Sequence, residues 1–126
     1  MPFVLRYGLS KIFALLLCGV AFASVCAAAE KWEVTLDLPP LAVNQFYEGL
    51  LTVADSNGVG ITGLRLQIRG RMPEHAHGLP TAPQITEKGQ GRYSLKGLSF
   101  NMPGRWVIEI LHDGETVLRQ EYTVRF

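Results

Sequence analysis

Trp32-Glu33-Val34-Thr35-Leu36-Asp37-Leu38 places an apolar side chain at every second position. Side chains of an extended strand alternate between two faces, so Trp32, Val34, Leu36 and Leu38 share one face and Glu33, Thr35 and Asp37 the other. This period marks a half-buried strand. Pro39-Pro40 ends it, because proline has no N–H to give to a ladder. The pattern recurs downstream. A second strand is expected over 46–53, closed by Asp55-Ser56-Asn57-Gly58, residue types that tolerate positive φ. In a third, Leu64, Leu66 and Ile68 alternate with Arg65, Gln67 and Arg69. A short fourth, over 84–87, turns through Lys88-Gly89-Gln90-Gly91 into a fifth over 92–100. A sixth covers 105–111, and His112-Asp113-Gly114-Glu115, with its Asp-Gly signal, turns it into a seventh over 116–126. No window after Glu30 sustains a helical period. Seven short strands in about 100 residues predict an all-β chain, an immunoglobulin-like antiparallel β-sandwich with Trp106 in its core.

The first 29 residues follow a different rule. Arg6 and Lys11 form a basic start, residues 12–25 are apolar, and Ala27-Ala28-Ala29 supplies small residues before Glu30. That layout predicts a helical signal peptide over 1–29, cleaved after Ala29, and a β-sandwich domain over 30–126 that is periplasmic or secreted. A spanning helix needs about 20 apolar residues, more than this run supplies. Membrane attachment is therefore expected only through an uncleaved signal segment. Both cysteines, Cys18 and Cys26, lie in this segment, so residues 30–126 hold neither a disulfide nor a thiolate.

Composition narrows the function. The chain has 126 residues, 48% hydrophobic and 18% charged, which fits one domain and excludes a disordered chain. The formal net charge is +1, so no strong field draws nucleic acid or an anionic bilayer. There is no Gly-x-Ser-x-Gly, phosphate-binding glycine loop or His-Glu-x-x-His. The only serines after residue 29 are Ser56, Ser94 and Ser99, none in a nucleophile setting. The chain is read as non-enzymatic.

One segment resists a purely structural reading: Arg71-Met72-Pro73-Glu74-His75-Ala76-His77-Gly78-Leu79-Pro80-Thr81-Ala82-Pro83. It looks too long for a hairpin turn, and it carries two of the three histidines. Met72 precedes a proline, as does Met102 in Asn101-Met102-Pro103-Gly104, the bend between the fifth and sixth strands. Loops of a sandwich cluster at its two ends, so the two bends are expected at one end. Imidazole is a borderline ligand and thioether a soft one, a pairing that suits copper, the cuprous ion above all. His75, His77, Met72 and Met102 form the candidate metal set, with Glu74 a weaker hard ligand. In fully extended chain His75 and His77 would point apart; Gly78 and the flanking prolines supply a bend. The competing reading makes the methionines core plugs and the histidines loop braces. Elsewhere, His112 is read as a solvated turn residue, Arg65, Arg69 and Arg71 as a solvated face paired with glutamates, and Arg105 as structural.

Met72-Pro73-Glu74-His75-Ala76-His77-Gly78, followed by Leu79-Pro80-Thr81 and by Phe100-Asn101-Met102-Pro103-Gly104-Arg105-Trp106, resembles the YtkA-like domain family, related to FixH-like proteins. The likeness covers about residues 31–125. It implies a small secreted or membrane-attached β-sandwich, often encoded in a metal-handling or respiratory-oxidase context. Members commonly show Met-Pro-x-His-x-His-Gly, matched here by Met72, Pro73, His75, His77 and Gly78; many continue with Met where this chain has Leu79. The expectation is an exported copper-binding module for metal handling or oxidase assembly, meeting a membrane oxidase, transporter or efflux component. The alternative is a periplasmic protein-interaction domain whose histidine loop is structural.

Overall fold

The computed structural model describes residues 30–126; the segment read as a signal peptide lies outside the described residues. Nine strands follow in order: β1 (Glu33–Asp37), β2 (Leu41–Ala42), β3 (Phe46–Ala54), β4 (Leu66–Met72), β5 (His77–Gly78), β6 (Gln84–Gly89), β7 (Arg92–Ser99), β8 (Gly104–His112) and β9 (Glu115–Arg125). They form one sheet in the order β1-β3-β7-β6 and a second in the order β2-β9-β8-β4-β5. Every pairing is antiparallel except β2 with β9. This is the immunoglobulin-like sandwich expected from the alternation, and no helix occurs among the described residues.

The seven expected strands correspond to β1, β3, β4, β6, β7, β8 and β9. β2 and β5, of two residues each, were not expected. β2 arises because Pro39-Pro40 releases the chain from the first sheet, and Leu41 and Ala42 then pair with Val124 and Arg125 of the second. The third expected strand is displaced: it runs from Leu66 to Met72, so that Leu64 precedes it.

The two inner faces meet in one core. Leu51, Val53, Tyr93, Leu95, Leu98, Phe100, Trp106, Ile108 and Ile110 are all but wholly buried. Phe100 and Trp106 pack edge to face with ring centroids 5.1 Å apart, a geometry that aligns ring quadrupoles favourably. Buried phenols keep their hydroxyls satisfied. Tyr93 donates to the Ile61 carbonyl at 2.8 Å and accepts the Leu64 N–H at 3.2 Å, which holds the β3–β4 connection against the sheet.

β8 is buried on both faces. Its inner side chains fill the core, and its outer face is covered by its neighbours. Glu109, only 5% exposed, sits between Arg69 of β4 and Arg119 of β9 in cross-strand register. Its carboxylate accepts from Arg69 at 2.7 Å and from Arg119 at 3.2 Å. The arginine stems lie over the strand while their heads stay wet. Of the three arginines expected to pair with glutamates, only Arg69 does so.

The Arg69 hydrogen bond, reinforced by the charges of Arg69, Arg119 and Arg71, outweighs desolvation and holds the Glu109 carboxyl below its ordinary value of 4.5. A carboxyl that titrates lower in the folded state stabilises fully above its ordinary value, and that contribution disappears as pH falls through the folded value. Glu109→Gln is expected to cost about 1.5–3 kcal/mol at neutral pH, the range for hydrogen bonds to charged groups. In urea titrations from pH 7 to pH 3 the gap between variant and wild type should close below about pH 4.5; a gap constant across that range contradicts the assignment.

Candidate metal site at the hairpin pole

The histidine segment begins as a tight hairpin, contrary to the expectation from its length. β4 continues through Met72, turns over Pro73-Glu74-His75-Ala76, and returns as β5 with Met72 opposite His77 and Arg71 opposite Gly78. The His75 N–H closes the turn on the Met72 carbonyl at 3.2 Å. Four-residue hairpin loops are common, and Pro73 presets a turn conformation. The apparent excess length is a second feature: Pro80 cannot continue a ladder, so β5 stops and residues 79–83 cross to the other sheet. Thr81 pins that crossing by donating to the Gly97 carbonyl at 2.7 Å.

The turn resolves the problem of the His-x-His spacing. His75 sits in the loop and His77 on the return strand; both are exposed, with ring centroids 5.8 Å apart and planes tilted by 43°. Directly opposed residues of an antiparallel pair share a face, with Cβ atoms about 4.5–5.5 Å apart. The His77 side chain therefore leaves the hairpin on the same face as the Met72 thioether. Met72 itself is only 3% exposed and belongs to the core.

The second Met-Pro bend lies at this same pole. A Cβ added to Gly104 would stand 3.0 Å from the Met72 methyl, so the first methionine packs directly on the second bend. Gly104 has φ +127°, a conformation that only glycine adopts readily. Arg105 next to it reaches Glu74 of the hairpin at 3.5 Å and Glu121 of β9 at 3.1 Å. The two bends, some 30 residues apart in sequence, are thus joined by one apolar and one ionic contact. Met102 is half-buried and packs on the core, while its carbonyl accepts the Trp106 indole N–H at 3.0 Å.

All four candidate ligands therefore belong to one pole, in two classes: exposed imidazoles at the tip, and methionines seated below them in or on the core. Glu74, read as a weaker ligand, is engaged with Arg105. Among the described residues no three of His, Cys, Asp and Glu converge as a metal-holding group. His112 stands apart from the set. It occupies the far end of β8, about 27 Å along the strand from Gly104 at 3.4 Å per residue. It is not the solvated residue expected: its ring packs on Trp32 with centroids 5.2 Å apart and planes tilted by 49°, its Nδ1 lies 3.3 Å from the Arg65 carbonyl, and its side chain is a quarter exposed. Gly104, expected only as part of the second bend, is also its point of contact with Met72, and a glycine directly after Met-Pro was a visible signal of such a close approach.

No curated protein sequence matches this chain. Among solved structures the fold is similar to the Lin-41 filamin domain, at TM-score 0.58 and 14% identity, covering 78% of this chain and 95% of that one. It is also similar to the Escherichia coli adhesin FdeC, at TM-score 0.58 and 19% identity, over 79% of this chain and 33% of the adhesin's. The Yersinia pseudotuberculosis adhesin InvE matches at TM-score 0.57 and 21% identity, over 73% of this chain and 25% of its own. At such identities the likeness is one of fold. The sequence model of the YtkA-like family matches residues 27–111, from ahead of β1 almost to the end of β8 and through both Met-Pro bends, and the chain belongs to that family.

Proposed function

We propose that this domain is an exported copper-binding module that holds or passes an ion at the hairpin pole. His75 and His77 are the leading ligands in this reading, and Met72 and Met102 assist. The observation that carries it is the pair of exposed imidazoles 5.8 Å apart at the pole where both Met-Pro bends meet. Imidazole nitrogens bind first-row ions such as zinc at about 2.0–2.1 Å, so rings at that separation can flank one ion after small rotations. A set without thiolate and with thioether neighbours favours copper over structural zinc. The imidazoles are exposed, an arrangement suited to an ion that must be handed on. The recipient in this reading is a membrane oxidase, transporter or efflux component.

Titration of the protein with cuprous and with cupric ion tests this directly. His75→Ala together with His77→Ala is expected to abolish binding of both ions while the thermal midpoint stays near wild type, because both side chains are exposed. Unchanged affinity in the double variant refutes the proposal. Met72→Leu preserves core volume and should cost less than about 1.5 kcal/mol. It should weaken cuprous binding more than cupric, since the thioether is the soft ligand; equal loss for both ions would exclude Met72 from the ligand set.

A further inference from the structure

We infer that a second binding surface, separate from the hairpin pole, runs along the free edge of β4 and takes an extended peptide of alternating apolar and acidic residues as an added strand. β4 has β8 on one side, but on the other it meets β5 only at Arg71 and Met72. Residues 66–70 thus have a strand partner on one side alone, and alternate backbone N–H and C=O groups of this stretch face outward. Across from them stands β6, the edge strand of the other sheet. A groove of about 610 Å³ opens between the two edges. Leu66, Ile68, Leu79 and Ile85, all half-buried against the core, supply its apolar lining.

The chain is built so that it does not fill this groove itself. A Cβ on Gly70 would stand 2.7 Å from the Leu79 side chain and 2.9 Å from that of Ile108. Glycine at that position therefore lets Leu79 fold inward beside β4. Pro80 then ends the pairing, and the crossing segment is drawn to β7 by Thr81. The facing edge strand β6 is interrupted at its turn end by a register shift between Glu87 and Gly89, which shortens its regular edge to Gln84–Glu87.

The occupant's chemistry follows from the pleat. A strand added to β4 would send alternate side chains into the groove, onto Leu66, Ile68, Leu79 and Ile85. The intervening side chains would emerge on the outer face beside Arg65, Arg69 and Arg71. Arg65 is 92% exposed and only 3.9 Å from Asp113 at best. Among the described residues no carboxylate forms an ion pair with Arg71, and Arg69 shares Glu109 with Arg119. That face has cationic capacity to spare, so acidic residues fit the outward positions. Residues 66–70 span about 17 Å at 3.4 Å each, enough for five residues of peptide.

Backbone hydrogen exchange of the purified protein, with three synthetic heptapeptides as probes, tests the inference. One alternates glutamate and valine, one lysine and valine, and one is the acidic peptide with a central proline. The acidic peptide should slow exchange at residues 66–70 and leave β9 unchanged. The lysine peptide should bind about tenfold more weakly, as expected for like charge at a rim, and the proline peptide should give no protection, having lost a ladder N–H. Arg65→Glu with Arg71→Glu alters only exposed side chains and should reverse the preference between the charged peptides. His75→Ala with His77→Ala should leave it intact, which separates this surface from the copper proposal. Absence of protection at residues 66–70 with every peptide overturns the inference. So does equal binding of all three peptides, or protection of that edge by self-association without peptide.

Discussion

The hydrogen bond from the indole N–H of Trp106 is the contact on which the arrangement of the hairpin pole depends. Trp106 is wholly buried at the start of the central strand of its sheet, and a buried N–H without an acceptor costs about 1–3 kcal/mol. The acceptor is the carbonyl of Met102, four residues earlier. Meeting that requirement fixes the course of the chain as it leaves β7 in one sheet and enters β8 in the other. Gly104 then lies where the Met72 methyl can reach it, and Arg105 where it can bridge the hairpin and β9. A demand set deep in the core thus determines how two surface bends meet.

β4 carries two different surfaces because Pro80 limits its partner to two residues. Its last two positions are paired and hold the histidine hairpin, while its first five keep an open edge above an apolar groove. Its outward arginines serve the same economy: they cover β8 and neutralise Glu109, yet leave Arg71 and Arg65 facing water. With no cysteine after residue 29, cohesion rests on the aromatic core and on ties across the sandwich, such as the Tyr122 hydroxyl reaching the Leu36 carbonyl at 3.4 Å.

Period-two alternation made the sandwich legible, because one face of nearly every long strand is buried. The spans that misled were those where a local rule competed with tertiary pairing. Thirteen residues from Arg71 to Pro83 look like one long loop only if all are counted together; a hairpin and a proline-stopped crossing lie end to end there, and no periodicity can arise in a strand of two residues. β2 escaped notice for the same reason. The packing of His112 was not legible because the Asp-Gly turn signal is local, whereas the ring it packs against, Trp32, comes from the other end of the domain. The convergence of the two Met-Pro bends could be expected from loop clustering, but the contact that joins them passes through Gly104, and a glycine marks a close approach without saying which residue makes it.

The route by which the chain enters the sandwich has a spatial consequence. Trp32 meets His112 at the end of β8 opposite Gly104, and β1 then runs beside β3 toward Phe46, which pairs with Ser99 just before the second Met-Pro bend. Residue 30 therefore enters at the far pole from His75 and His77. The two imidazoles thus stand roughly the length of β8 away from residue 30, so whatever meets one pole of the sandwich leaves the other sterically free.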